Sequence, residues 1–469
     1  MSASPAPSAA PLRVGAREIY ALVFGLFLGL ALLKFGNPVI LDRNIEPPRD
    51  LAEAMGVSWP VKWGNALLLV LGLASLPVAF AKTCTPTRRL PHALGLLPLV
   101  WFAWQMVSAT TSVDARLTGV TLAHFAGCVG CFLIGLFVLG RDGWPKLLLL
   151  GVLGALALCL VKGANQHHVE FKQDRQTLID GERTGWTNFA PEVLDQMQRD
   201  RLILRTNDVV VANPVILLKL ERGRINGTLV YPNALAGALL LLLPVALALA
   251  VSGTAELKPP IRWLVIALTS FLGFGCLYWT GSKSGWLIAL GLAGGWLSHR
   301  SRWPRRRKIV AVAAIAVLGL AAFAVRFQSY FAAGATSVGA RFDYWRAAAQ
   351  TTMADPVLGS GPGTFQRPYA RLKAPESEMA RLVHNDYLEQ FSDSGVVGGA
   401  LYLAWIGMVV AALAKGLARA TDPLAFALAL GLFGWFAQGV VEFGLYIPAL
   451  AWTAFTLAGT LLAARGKEA

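Results

Sequence analysis

Residues 229–251 read LVYPNALAGALLLLLPVALALAV, a run of 23 residues without a charged side chain. Such a run is long enough to cross the ~30 Å hydrocarbon core of a bilayer as one helix. Similar runs recur along the chain, so that 55% of its 469 residues are hydrophobic and only 15% are charged. A soluble domain of this size does not normally show that balance. The sequence therefore predicts an all-α, polytopic integral membrane protein.

Twelve segments qualify as candidate membrane spans, although 147–161 and 284–298 are shorter than the usual ~20 residues. The twelve segments are 19–33, 64–81, 93–109, 118–139, 147–161, 229–251, 263–279, 284–298, 309–325, 394–414, 423–441 and 449–464. We therefore expect about twelve transmembrane helices in a single membrane domain that covers residues 1–469.

The net charge of +15 could indicate a nucleic-acid partner, but its distribution indicates membrane topology instead. If the N-terminus is cytoplasmic, the inner segments carry 19 of the 42 Lys and Arg residues but only 5 of the 27 Asp and Glu residues. Nearly the whole excess then lies inside, as the positive-inside rule requires. We expect both termini to be cytoplasmic, with the basic cluster 300–308 as a topology anchor and no nucleic acid bound.

Two long polar segments, 163–228 and 326–393, then face outward, which places the working face on the extracytoplasmic side. Within the first segment, residues 191–204 have the pattern of a short helix on the membrane surface. Pro232 and Asn233 sit just inside the following span. They favour either a broken or re-entrant helix start that lines a cavity, or an ordinary loop-to-helix turn with the asparagine as its cap.

Ionisable side chains are almost absent from the predicted spans, where His124 is the only clear example. Ion-coupled transporters usually need carboxylates or histidines near the middle of the membrane. A solute transporter therefore becomes the less favoured alternative, from a different class of protein.

Charged and polar residues gather instead at the outer face of the membrane. Several Arg and Lys side chains there suit a diphosphate, because a guanidinium group binds phosphate oxygens bidentately and stabilises the charge of a departing pyrophosphate without a metal. A histidine can accept a proton from a sugar hydroxyl at neutral pH, which makes His384 the candidate base. Asp386 and Glu389 are the candidates for orienting its ring.

Four patterns around these residues resemble the O-antigen ligase and polymerase superfamily. His384 is followed after ten residues by Gly395, and Arg341-x-x-x-Trp345 is followed by a Pro-x-x-Gly-x-Gly turn at 356–361. The pattern Arg-x-x-Gly-Thr-x-x-x-Pro-Asn-x-x-Ala occupies 224–236. The fourth pattern is Glu-Phe-Gly-Leu-Tyr-Ile-Pro-Ala, which begins at Glu442. The resemblance covers about half of the chain, roughly residues 222–464.

This resemblance implies a GT-C-like membrane glycosyltransferase. It would transfer a glycan from undecaprenyl pyrophosphate to a lipid A-core or glycan acceptor on the periplasmic face of a bacterial inner membrane. Inversion at the anomeric carbon and independence from metals and other cofactors are expected. The residues it implies are His384 and Arg341 for catalysis and, for substrate binding, Arg224, Lys283, Arg222, Asn233, Asn385, Asp386 and Glu442.

Three alternatives remain beside a ligase. A polymerase of the same superfamily differs only in its acceptor. A non-catalytic assembly factor for surface polysaccharide would use the same segments as a binding surface, and a transporter would use the spans. The family position that is usually arginine is Lys283 in this chain, and lysine offers a point charge rather than a planar fork.

Overall fold

The computed structural model describes residues 15–80, 92–140, 146–206, 209–328, 336–375, 377–417 and 422–465. Its α-helices in chain order are α1 Ala16–Lys34, α2 Leu51–Gly56, α3 Val61–Phe80, α4 His92–Ser108, α5 Ala115–Ile134, α6 Lys146–Asn165, α7 Phe171–Arg183, α8 Pro191–Arg199, α9 Pro214–Arg222, α10 Pro232–Ser252, α11 Pro259–Thr280, α12 Lys283–Arg300, α13 Arg305–Arg326, α14 Thr336–Ala354, α15 Gln366–Leu372, α16 Asp386–Leu417, α17 Pro423–Gln438 and α18 Pro448–Arg465. One antiparallel hairpin, β1 Ile203–Thr206 and β2 Val209–Ala212, is the sheet in these ranges.

Each of the twelve predicted spans falls mainly on one of these helices. Nine helices within the described ranges are long and apolar enough to cross a membrane. Helices α17 and α18 are apolar but shorter, and the 18-residue α12 packs against α13 and α17. The predicted all-α, polytopic membrane fold is confirmed.

Close packing between helices depends on small residues in the N-terminal half. Gly25 of α1 faces the backbone of Leu148, and Gly29 faces that of Gly151, so a Cβ atom at either glycine would clash with α6. At the centre of the bundle, α18 is almost wholly buried and packs against α1, α5, α16 and α17. Small residues that let helix backbones approach are typical of membrane helix pairs.

The polar segment 163–228 folds around a small core of its own. Helix α6 continues through the π-helical turn Gln166–Glu170 into α7, and α8, the hairpin and α9 follow. Their apolar side chains meet around Leu178, Trp186 and Ile203. The helix predicted within 191–204 is present as α8.

The polar segment 326–393 contains α14, α15 and the first turns of α16, which begins well before the predicted span at 394. Helix α16 is interrupted at Ser394 and Gly395, where Gly395 has a φ of +68°. A side chain at Gly395 would clash with the carbonyl of Val357, and one at Gly359 would clash with the Asp393 backbone. The glycines of the two sequence patterns therefore let the 356–363 loop lie directly against the break in α16.

Helix α10 starts at Pro232, which favours the loop-to-helix turn over the broken or re-entrant start among the two alternatives left open by the sequence. Pro232 is its first residue, where the missing N–H costs nothing, and Tyr231 before it is extended. Asn233 is the second helical residue and does not cap the helix. Its side chain is thereby available for other contacts.

Candidate functional site

A polar cavity of about 760 Å³ lies where α10, α12 and α14 meet the turn before α16. Five of the residues singled out from the sequence line it: Arg224, Asn233, Lys283, Arg341 and His384. They come from four separate parts of the chain, and the fold brings them to one cavity. Its wall also contains Asp343, Tyr344, Trp345, Tyr369, Ser377 and Glu378.

Glu442 is the common partner beneath this cavity. Its carboxylate accepts hydrogen bonds from Tyr231 Oη at 2.8 Å, Asn233 Nδ2 at 2.6 Å and Arg341 Nη2 at 2.5 Å. His384 Nδ1 lies 3.3 Å from its second oxygen. A single buried carboxylate therefore ties two separate segments, 231–233 and that of Arg341, to the histidine.

Glu442 is ionised in this environment although its side chain is only 3% exposed. Burial alone would raise the pKa of the carboxyl group, but the hydrogen bond and charge of His384, together with the charge of Arg341, outweigh it and hold the pKa below its usual value. A buried charge is tolerated only with such partners. The ionised carboxylate thus keeps both basic side chains in place.

His384 has an unusual backbone conformation, with a φ of +55° in the left-handed region. A residue other than glycine rarely adopts it, and such outliers concentrate at functional sites. The imidazole packs against the edge of Phe443 at 4.7 Å and stacks on Tyr344 at 5.7 Å between ring centres. The ring is held on three sides and still lines the cavity.

Arg341 is anchored by three of its nitrogen atoms. Nε donates to the Val441 carbonyl at 3.0 Å and Nη1 to the Ser337 carbonyl at 3.2 Å, while Nη2 forms the ion pair with Glu442. Helix α14 thereby connects to the turn after α17. The guanidinium is fixed at the cavity wall with its side chain 19% exposed.

Arg224 is anchored in a comparable way from the other side. Its Nε donates to the Thr280 carbonyl at 2.7 Å and its Nη2 donates to Asn233 Oδ1 at 2.9 Å. Gly281, with a φ of +59°, lies so close that a Cβ atom there would be 3.1 Å from Arg224 Nε. The turn between α11 and α12 therefore packs against this guanidinium and fixes its position.

Positive charge is concentrated at this end of the cavity. Lys283 Nζ lies 5.2 Å from the centre of the Phe327 ring, and the Arg326 guanidinium lies 5.3 Å from the same ring. Burial lowers the pKa of Arg224; the charge of Glu442 opposes this effect, and those of Arg222 and Arg341 add to it. This end of the cavity suits an anion with several oxygen atoms.

Four of the predicted substrate-binding residues do not line the cavity: Glu442 lies beneath it, and the other three are Asp386, Asn385 and Arg222. Asp386 is buried, and both of its carboxylate oxygens accept from the Leu445 N–H at 3.1 Å. Asn385 Oδ1 accepts from the Tyr387 N–H at 3.0 Å and so caps the start of α16. Arg222 is exposed at the end of α9. These side chains support or flank the site.

The expectation that Asp386 or Glu389 orients the His384 ring is corrected, because Glu442 does so. Glu389 is buried and accepts from the Val383 N–H at 3.1 Å. The Asp386 carboxylate instead accepts from the Leu445 N–H. Spacing of two residues along the chain could not reveal this.

Sequence reasoning missed several side chains at the site, among them Tyr369, Ser377 and Glu378 of the cavity wall. Tyr231 and Phe443 are the immediate neighbours of the Pro232–Asn233 pair and of Glu442, and Tyr344 lies inside the Arg341–Trp345 pattern. Their position within those patterns was the available signal. No sequence signal distinguished Arg326, because a basic residue at the end of an apolar span is common in membrane proteins.

His384 thus lines a cavity beside clustered cations, and its carboxylate partner lies beneath that cavity in a bundle of apolar, membrane-length helices. Residues 268–403 match the family model described as O-antigen ligase. The match covers less than a third of the 469 residues, and it confirms the predicted resemblance to the O-antigen ligase and polymerase superfamily. This family model suggests a membrane glycosyltransferase-like enzyme.

The match contains Lys283, Arg341 and His384. Arg224 and Glu442 lie outside it and join it through the contacts given above. No curated protein matches the chain in sequence.

Proposed function

We propose that this protein is an inner-membrane glycosyltransferase of the O-antigen ligase type. It transfers a glycan from undecaprenyl pyrophosphate to a lipid A-core or glycan acceptor on the periplasmic face. The observation that carries the proposal is that His384 contacts the buried Glu442 and lines one cavity with Arg224, Lys283 and Arg341.

In the proposed reaction, His384 removes the proton of the acceptor hydroxyl. Because Glu442 lies beside Nδ1, it holds the proton on that nitrogen and leaves Nε2 to accept the new one. The acceptor oxygen then forms a bond to the anomeric carbon while the bond from that carbon to the phosphate oxygen breaks. A single displacement of this kind inverts the anomeric configuration.

The leaving group is undecaprenyl pyrophosphate, which departs with the electron pair of the broken bond. Arg224 and Lys283 bind its phosphate oxygens, and Arg341 stands between the diphosphate and the His384–Glu442 pair. Fixed donors that face developing negative charge stabilise a transition state more than they stabilise the ground state. Both arginines are already held by the protein, so little reorganisation is required.

No step in this mechanism needs a metal ion, so we expect transfer to continue in EDTA. The purified protein, given an extracted lipid-linked glycan and an envelope acceptor fraction, should form product under these conditions with inverted linkage by NMR. Absence of transfer in EDTA with recovery in Mg²⁺ would overturn the metal-free mechanism. A ligase will release a lipid A-core conjugate, whereas a polymerase of the same superfamily will lengthen the lipid-linked glycan.

A transporter would instead show uptake that depends on a membrane gradient and no new glycosidic bond. A non-catalytic assembly factor would bind the donor yet give no product in the purified system. These two outcomes would replace the transferase proposal.

A further inference from the structure

The polar cavity has a second wall whose chemistry differs from the cationic end. Asp343, Tyr344 and Trp345 of α14 contribute to it, and so do Tyr369 of α15 and Glu378 of the following loop. The wall combines three aromatic rings with two carboxylates. This wall does not suit a diphosphate, because its carboxylates repel phosphate oxygens and its aromatic rings carry no positive charge.

Tyr344 marks the boundary between the two ends. Burial raises the pKa of its phenol, and the nearby Glu378 and Asp343 carboxylates raise it further, while Arg341 lowers it. The same ring stacks on His384 at 5.7 Å. The base therefore lies where the cationic end meets the acidic, aromatic wall.

The aromatic part of this wall is rigid. Tyr369 meets Tyr344 edge to face at 5.4 Å, and its hydroxyl donates to the Glu378 carbonyl at 3.1 Å. The indole Nε1 of Trp345 is buried and finds no acceptor among the residues that the structure describes. Tyr369 is fully buried and supports Tyr344 from behind, which leaves Tyr344 and Trp345 as the aromatic faces of the wall. Such faces pack against the C–H face of a sugar ring, and carboxylates accept hydrogen bonds from its hydroxyls.

The carboxylates keep accepting capacity toward the cavity. Asp343 pairs with Arg346 at 3.2 Å, but Arg346 is 58% exposed and does not line the cavity. Ser377 Oγ lies 3.4 Å from the other oxygen of Asp343. Glu378 lines the cavity as an exposed side chain.

We propose that this wall, formed by Asp343, Tyr344, Trp345, Tyr369 and Glu378, binds the terminal sugar of the acceptor. The acceptor sugar is one that presents hydroxyl or amino groups there, rather than phosphate or carboxylate groups. The inference rests on the proposed transferase function and adds the chemical class of its acceptor. The acceptor hydroxyl then reaches His384 from the Tyr344 side, and the donor diphosphate lies at the cationic end.

The first test compares Michaelis constants for the two substrates in the purified protein. Glu378→Gln and the double variant Asp343→Asn, Glu378→Gln should raise KM for the envelope acceptor fraction about tenfold and leave donor KM within about twofold, since a charged hydrogen bond is lost on the acceptor side alone. Glu192→Gln, an exposed carboxylate on α8, is the matched control and should change neither constant. A rise in donor KM, or no change in either constant, would overturn the assignment.

The second test concerns charge on the acceptor. Treating the acceptor fraction with phosphatase should leave its kcat/KM with wild-type protein unchanged or higher. Loss of acceptance after this treatment would show that an anionic group is required, against the inference. If wild-type protein forms no product with either acceptor, the transferase proposal itself fails, which separates the two failures.

Discussion

The two long polar segments of this protein look alike in sequence but differ in their relation to the cavity. Segment 163–228 closes around its own core at Trp186, and of its described residues only Arg224, close to its end, lines the cavity. Segment 326–393 places its core around Tyr344 and Tyr369 directly at the cavity wall. Length and polarity therefore do not identify a functional segment; contact with the buried Glu442 does.

The largest difference between the segments is expected at their histidines. His384→Ala should reduce transfer at least ~100-fold, because it removes the proposed base, while the protein stays folded and inserted. His168→Ala is the control, since this histidine of the first segment packs on Trp279 outside the cavity. The transfer rates of the two purified variants, compared with that of the wild type, measure these effects. Near-normal activity of His384→Ala would remove this histidine from the mechanism.

The next effect concerns the carboxylate that joins the segments. Glu442→Gln should slow transfer ~10- to 100-fold, because the histidine loses the partner that holds its proton on Nδ1. Loss of one partner of the buried ion pair should also lower the free energy of unfolding by ~3–5 kcal/mol. Thermal melts beside rate measurements separate the two effects, and an unchanged rate would contradict the role given to Glu442.

The Glu442 carboxylate should also make the stability of the protein depend on pH. Because the pKa of Glu442 is held below its ordinary value of 4.5, its stabilising contribution is complete above that value and is lost as the pH falls through the lower folded-state pKa. Wild-type stability should therefore fall in strong acid more steeply than that of Glu442→Gln. Parallel acid-unfolding curves for the two proteins would argue against an ionised Glu442.

A smaller loss is expected when charge is kept but shape is changed. Arg341→Lys preserves the positive charge but cannot supply the three separate contacts that the guanidinium makes, so transfer should fall ~10-fold or more. The transfer rate of the purified variant at saturating donor concentration measures this loss. An unchanged rate would show that bulk charge alone is needed at this position.

Asp386 tests whether a buried residue beside the site stabilises the fold without taking part in the reaction. Asp386→Ala leaves the Leu445 N–H without its acceptor and should lower the free energy of unfolding by ~1–3 kcal/mol. Transfer at low temperature should stay within a fewfold of wild type. A large loss of activity with unchanged stability would instead support the predicted role of Asp386 in substrate binding or in orienting His384.

The smallest effect on transfer should come from the core of the first segment. Trp186→Ala removes a buried indole whose Nε1 donates to the Val210 carbonyl at 2.8 Å, and it should loosen that segment by ~3–5 kcal/mol. Limited proteolysis should then cut within the segment, while transfer changes less than about threefold. A strong loss of transfer would mean that this segment contributes more to the site than Arg224.

Much of the fold could be predicted because uncharged apolar runs and the asymmetry of Lys and Arg between their connecting segments can be read directly along the chain. His384, Arg341 and Lys283 were also accessible, since each sits in a short pattern with a recognisable neighbour. The role of Glu442 was not accessible. Its contacts to Asn233 and Arg341 join positions 209 and 101 residues apart, and no local pattern encodes such pairing.

The most direct measurement is the pool of lipid-linked glycan and the surface polysaccharide in cells whose only copy of the gene is wild type, deleted or His384→Ala. The account predicts that the deletion and His384→Ala both accumulate undecaprenyl-linked glycan and lose the mature product, with the variant protein present in the membrane at normal level. Accumulation in the deletion but not in His384→Ala would contradict the assigned site, and an unchanged pool in both would contradict the transferase itself.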